Sequence, residues 1–167
     1  VATWGNLANR VLSFAYKNFE GEVPDPGPLR PEDRELIASV NAGFASVGAL
    51  LDAVKLRAAL AESLRLASEV NRYLDVRAPW SEIKADRAAA AKTVYAALKA
   101  IDSLKVIFAP FLPFSSEKLH SYFGYSGSLF GTQKIVTYEE PTRAHQALTY
   151  DPTRPGERVI TYSIGST

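Results

Sequence analysis

At 167 residues, with 47% hydrophobic and 22% charged residues, the chain has the size and composition of one ordinary globular domain. Its formal net charge is +1, so any nucleic-acid role must rest on a local site and not on an overall basic field. The absence of Cys excludes disulfides, thiolate zinc sites and cysteine nucleophiles, and two His, His120 and His145, are too few for a His-rich metal centre.

A first helix is predicted from residue 3 to about residue 17. Trp4, Leu7, Ala8, Val11, Phe14 and Ala15 recur at about 100° per residue and form its core face. Asn6, Arg10, Ser13 and Lys17 make a polar stripe beside that face, either simply solvated or half of a site. Residues 20–30 form a loop, because Pro24, Pro26 and Pro28, with Gly21 and Gly27, cannot continue a helix. A second helix opens at Pro31, with Glu32 and Asp33 suited to its positive end. Leu36, Val40, Phe44, Val47, Leu50 and Leu51 keep helical spacing. No charge appears from 38 to 51, so this half is expected to be buried on most sides, with Gly43 and Gly48 marking close packing.

After a break near Asp52, a third helix carries Leu56, Leu60, Leu64, Ala67, Val70 and Leu74 inward, to about Val76. Asn71 and Asp75, four apart, share one face of its last turns. Pro79 stops this helix and leaves Trp80 at the corner. Ser81 or Asp86 caps a fourth helix, from about 86 to 108, with Val94, Leu98, Ile101, Leu104 and Phe108 inward. Pro110 and Pro113 break it. A short fifth helix starts at Ser115, carries Leu119 and Phe123, and ends at Gly124. From Tyr125 onward Gly and Pro punctuate every run, and only 134–138 and 158–162 have the residues of short extended segments. The expected fold is all-α: an antiparallel helical bundle of about five helices over 1–124, with an irregular C-terminal extension, 125–167, packing on it.

No apolar run approaches the roughly 20 residues of a membrane-spanning helix, and the N-terminus lacks a secretory layout. No membrane partner and a cytoplasmic location are expected. The sequence holds no Met and opens on Val1 almost inside a helical pattern. A piece of a longer protein is therefore expected, removal of an initiator Met being the alternative.

Neither GxxxxGK[ST] nor GxGxxG occurs, so no phosphate-cradling loop is present. Ser115 lacks a GxSxG context, His120 five residues on is poorly placed as its base, and no carboxylate pair stands out as an acid–base couple. No catalytic residue and no metal ligand are expected, and the chain by itself is not expected to be an enzyme. What stands out is Trp80, with Asn71 and Asp75 below it. If the first and third helices are neighbours, the Asn6/Arg10 stripe supplies the other half of a base-reading site. Stacking a base on an aromatic side chain contributes about 1–3 kcal/mol and needs no basic surface. Asn and Arg then bond the base edges. A Trp that merely caps the core is the competing reading.

The run Asn71-Arg72-Tyr73-Leu74-Asp75, continued by Ala78-Pro79-Trp80, resembles the anticodon-reading signature of methionyl-tRNA synthetases. Gly5-Asn6-Leu7-Ala8-Asn9-Arg10 is similar to the matching helix of that family. Phe108-Ala109-Pro110-Phe111-Leu112-Pro113-Phe114-Ser115, with Leu119 after it, resembles the closing helix junction. Together these cover about residues 3–124 in the family's order and spacing.

The resemblance implies an α-helical anticodon-binding domain of a class I aminoacyl-tRNA synthetase. Its partners would be the tRNA anticodon loop and the catalytic domain of the parent enzyme. It further implies that Trp80 stacks on the first base of a CAU anticodon and that Asn6 and Arg10 contact anticodon bases. Asn71 and Asp75 would shape or contact the same pocket, and Lys17 is a weaker candidate for backbone or base contact. No cofactor is expected here: ATP, methionine and Mg²⁺ would belong to a catalytic domain whose His-rich signature and Lys-rich loop this sequence lacks. The equivalent domain of another class I synthetase and a helical protein-docking module without RNA contact are the competing readings. Trp80 is expected to be partly exposed, since a fully buried indole could not receive a base.

Overall fold

A computed structural model describes residues 2–131 and the backbone of 135–139 and 144–148. Its helices are α1 (Ala2–Asn18), α2 (Pro31–Asp52), α3 (Leu56–Arg77), α4 (Pro79–Ala85), α5 (Arg87–Phe108) and α6 (Pro113–Tyr122). Two strands follow, β1 (Ile135–Glu139) and β2 (Ala144–Leu148). The chain divides into two compact units, Val1–Pro113 and Phe114–Thr167. Among the described residues, no helix is long and apolar enough to cross a membrane.

The first unit is an antiparallel helical bundle, the fold class expected, and its cross-links show how the helices run. Ser39 donates to Glu69 (2.6 Å) and Ser46 to Glu62 (3.2 Å), so α2 and α3 are antiparallel. Arg30, just ahead of α2, donates to Thr93, and Ser103 donates to Asn41, so α2 and α5 are parallel. Trp4 stacks on Phe108 with centroids 4.8 Å apart, and Arg87 donates to the Asn18 carbonyl, so α1 and α5 are antiparallel. The four long helices thus alternate in direction, but α1 packs on α3 and α5 instead of on α2. The prolines of the 19–30 connection keep that segment from continuing as helix, and it carries the chain across the bundle. That diagonal step places α1 beside α3.

The core centres on α5. Val94, Leu98, Ile101, Leu104 and Phe108 are all buried, and so are Ala90, Ala96, Ala97 and Ala100. Asp86 is its cap, accepting from the amides of Ala88 and Ala89 at 3.0 and 3.1 Å.

Three expectations are corrected by packing. The uncharged half of α2 is not buried on most sides: Ala38, Ala42, Ala45 and Ala49 are exposed, and Phe44 is 46% exposed. Only α3 and α5 cover this helix substantially, so one arc faces outward and its lack of charge reflects small side chains. In α3 the buried line runs through Ala59, Ser63, Leu66, Val70 and Leu74, while Leu60 and Leu64 are half-buried. Leu56 sits in the first turn, at the end of the bundle, and is 57% exposed. Finally, Pro79 begins a helix as well as ending one. Ala78 turns the corner with φ 44°, and Pro79 then takes the first position of α4, where its fixed φ suits a helix start.

In the second unit, Glu117 of α6 accepts from the Leu129 amide at 2.9 Å, and His120 stacks on Tyr125 with centroids 4.6 Å apart. β1 and β2 form an antiparallel pair with Ile135 opposite Leu148 and Glu139 opposite Ala144. β1 overlaps the extended segment expected at 134–138. β2 carries no comparable signal in the sequence, and the segment expected at 158–162 lies outside the described residues.

Candidate nucleic-acid interface

Parallel neighbours α1 and α3 flank an open cleft of about 520 Å³. From α1 it is lined by Thr3, Asn6, Leu7 and Arg10, and from α3 by Ser68, Asn71, Arg72 and Asp75. Both sets follow i, i+3, i+4, i+7, the spacing that puts side chains on one helix face. Leu7 is buried and forms an apolar floor, while Asn6, Arg10 and Asp75 are exposed and Asn71 is half-buried. The lining therefore offers hydrogen-bond donors and acceptors over an apolar base.

Trp80 lies in the first turn of α4 and is half-buried. The Phe14 ring meets it edge to face, with centroids 6.5 Å apart and planes at 86°. Phe14, assigned to the core from its spacing, is itself only half-buried because it faces this indole at the margin of the bundle. The Arg10 guanidinium carbon lies 4.8 Å from the Trp80 ring centroid, and a guanidinium nitrogen lies 3.6 Å from the Asp75 carboxylate. Arg10 thus joins the Trp80 ring to the α1/α3 cleft. Asn6, Arg10, Asn71 and Asp75 are brought together in that cleft, with Trp80 adjoining through Arg10. Lys17 is exposed in the last turn of α1, outside the cleft.

Thr3, Ser68 and Arg72 were missed as lining residues. Their helical spacing from Asn6 and Asn71 is the signal that could have found them.

A second feature had no signal in the sequence. Asp33, the helix-end acid of α2, is fully buried. Its carboxylate accepts from Arg30 N and Nε at 2.9 Å, from Arg30 Nη2 at 3.0 Å and from the Tyr73 hydroxyl at 2.5 Å. Arg30 also donates to Glu82 (3.3 Å) and Thr93 (2.7 Å), and Thr93 donates to Glu82 at 2.9 Å. Burial, the largest single influence, pushes the Asp33 carboxyl up. The hydrogen bonds from Arg30 and Tyr73 and the guanidinium charge together outweigh it and hold the group below its ordinary 3.8. Burial and the bond to Asp33 push the Tyr73 hydroxyl well above its ordinary value. The Arg30–Asp33 pair therefore stays charged and Tyr73 neutral at physiological pH. Among the described residues, no group of three or more His, Asp or Glu side chains could hold a metal ion.

The sequence matches the family described as anticodon binding domain of methionyl tRNA ligase over residues 23–141. That span includes Asn71, Asp75 and Trp80, whereas α1 precedes it. The chain is 52% identical over 155 residues to the methionine–tRNA ligase of Chloroflexus aggregans, covering 90% of this chain and 25% of that protein. It is 51% identical over 152 residues to that of Thermomicrobium roseum, covering 91% and 26%. The chain thus spans about a quarter of the length of the curated relatives it matches. Among solved structures, the Mycobacterium tuberculosis methionyl-tRNA synthetase bound by methionyl-adenylate superposes with a TM-score of 0.66 at 30% identity, covering 70% of this chain and 24% of that one. With a family match over most of its length, this chain belongs to the anticodon-binding domains of methionyl-tRNA ligases.

Proposed function

We propose that this chain reads the CAU anticodon loop of a methionine tRNA, as the RNA-recognition part of a methionine–tRNA ligase. The unstacked first anticodon base lies on Trp80, and Asn6 and Arg10 present hydrogen-bonding edges to the bases. Asn71 and Asp75 form the facing wall of the pocket, and Lys17 lies further along α1 for the RNA backbone. The parent's catalytic domain supplies the ATP- and Mg²⁺-dependent joining of methionine to the tRNA.

One observation carries this reading: the half-buried Trp80 ring adjoins a cleft whose two walls are hydrogen-bonding faces of α1 and α3. A net charge of +1 suits a site that works by stacking and base-edge bonding more than by phosphate neutralisation.

The test is binding of the 167-residue chain to a CAU anticodon stem-loop and to versions with each anticodon base changed. The CAU loop is expected to bind best. Removing a stacking ring typically costs about 1–3 kcal/mol, so Trp80→Ala should weaken binding roughly fivefold to 150-fold while the bundle stays folded. Binding indifferent to the anticodon, or no binding at high protein concentration, would overturn the reading, and the latter would favour a protein-docking module.

A further inference from the structure

The hydrogen bonds of the buried cluster around Asp33 go to none of the cleft-lining side chains, yet the cluster flanks the corner that presents Trp80. Tyr73 lies on α3 between Asn71 and Asp75, and Glu82 lies on α4 two residues after Trp80. Tyr73 is bonded to Asp33, and Glu82 to Arg30 and Thr93. The helices on either side of Ala78 are thus tied to the same Arg30–Asp33 pair. That pair is itself anchored at the start of α2 and against α5.

A buried ion pair is seldom the most stabilising filling for such a place, because desolvation offsets much of its attraction. Its distinctive property is direction: charge-assisted and bidentate bonds hold groups at set angles, where apolar contacts would let them slide. The corner needs such a constraint. Ala78 sits at φ 44°, a left-handed conformation costly for a non-glycine residue, and α4 has only 7 residues with which to hold its place.

We infer that Asp33, Arg30 and Tyr73 are positioning residues that set the angle of the α3–α4 corner and so hold the Trp80 ring against Arg10 and Phe14, ready for a base. This rests on the reading of Trp80 as the stacking platform. The network acts only through Trp80 and makes no contact with RNA.

Tyr73→Phe removes one hydroxyl and keeps the ring, and Asp33→Asn keeps the shape of the acid while removing its charge. In the full 167-residue chain, the indole N–H signals of Trp4 and Trp80 report separately on the core and on the corner. Tyr73→Phe is expected to leave the Trp4 signal in place and to shift or broaden that of Trp80. Affinity for the CAU stem-loop should fall roughly tenfold per folded molecule, equal to about 1.4 kcal/mol, with weaker discrimination at the first anticodon base. Asp33→Asn should do the same more strongly, and should Asp33→Asn fail to fold, Tyr73→Phe decides alone. A wild-type chain that binds the stem-loop, beside a folded Tyr73→Phe variant with unchanged affinity or an unmoved Trp80 signal, overturns the inference alone. A wild-type chain that binds no stem-loop overturns the platform reading and the inference with it.

Discussion

The Arg10 guanidinium covers the Trp80 ring at 4.8 Å while holding the Asp75 carboxylate at 3.6 Å. Both charged side chains are largely solvent-exposed, at 46% and 68%. An exposed cation–π contact contributes about 0.5–1 kcal/mol and an exposed ion pair about 0–1 kcal/mol. A stacking base contributes about 1–3 kcal/mol and can displace the guanidinium. Arg10→Ala is therefore expected to change stability by less than about 2 kcal/mol in urea denaturation, yet to weaken stem-loop binding. Arg10→Lys should restore little of that binding, because an ammonium lacks the planar fork of donors.

The two tryptophans should respond unequally to truncation. Trp4 is 3% exposed and stacked on Phe108, so Trp4→Ala is expected to cost about 3–5 kcal/mol. Half-buried Trp80 gives up less apolar contact, and Trp80→Ala should cost less than about 2 kcal/mol. Denaturation midpoints of the two variants check this. Equal losses would mean that Trp80 is a core residue.

Acid should act through Asp33. Its folded-state pKa lies below the ordinary 3.8. The stabilisation is therefore fully present above the unfolded value and is lost as pH falls through the folded one. Stability of the wild-type chain should decline below about pH 4. Asp33→Asn should be less stable at neutral pH by about 3 kcal/mol, from the broken buried pair, and should show a shallower acid limb. Urea midpoints measured against pH check both, and parallel profiles for the two proteins would contradict the assignment.

Two glycines of α2 should answer a change to alanine with opposite signs. A Cβ at Gly43 would lie 2.3 Å from Leu66 Cδ1 and 3.1 Å from Ile107 Cδ1, where both neighbours are buried. Gly43→Ala should destabilise by about 1–3 kcal/mol through overpacking. A Cβ at Gly48 meets nothing within 4 Å, so Gly48→Ala should stabilise by up to about 1 kcal/mol through helix propensity. Melting temperatures decide both.

The sequence by itself determined the long helices and most of their core faces, though not the short α4 or the buried line of early α3, because periodicity, prolines and caps act over a few residues. Val11, Val94, Leu98 and Phe108 are buried where their spacing put them, and Asp86 caps α5. The polar faces of α1 and of late α3 were legible in the same way, as was the corner residue Trp80. Only the tertiary structure decided that these faces meet. Which helices become neighbours depends on the diagonal path of the 19–30 connection and on the close approach of α2 and α3 at Gly43; the glycine marks a close approach, but nothing local says which helix it meets. Asp33 shows the same limit. Beside Pro31 it reads as an ordinary helix-end acid, and only the approach of Tyr73, Glu82 and Thr93 from three other helices turns it into the buried centre of the corner that carries Trp80.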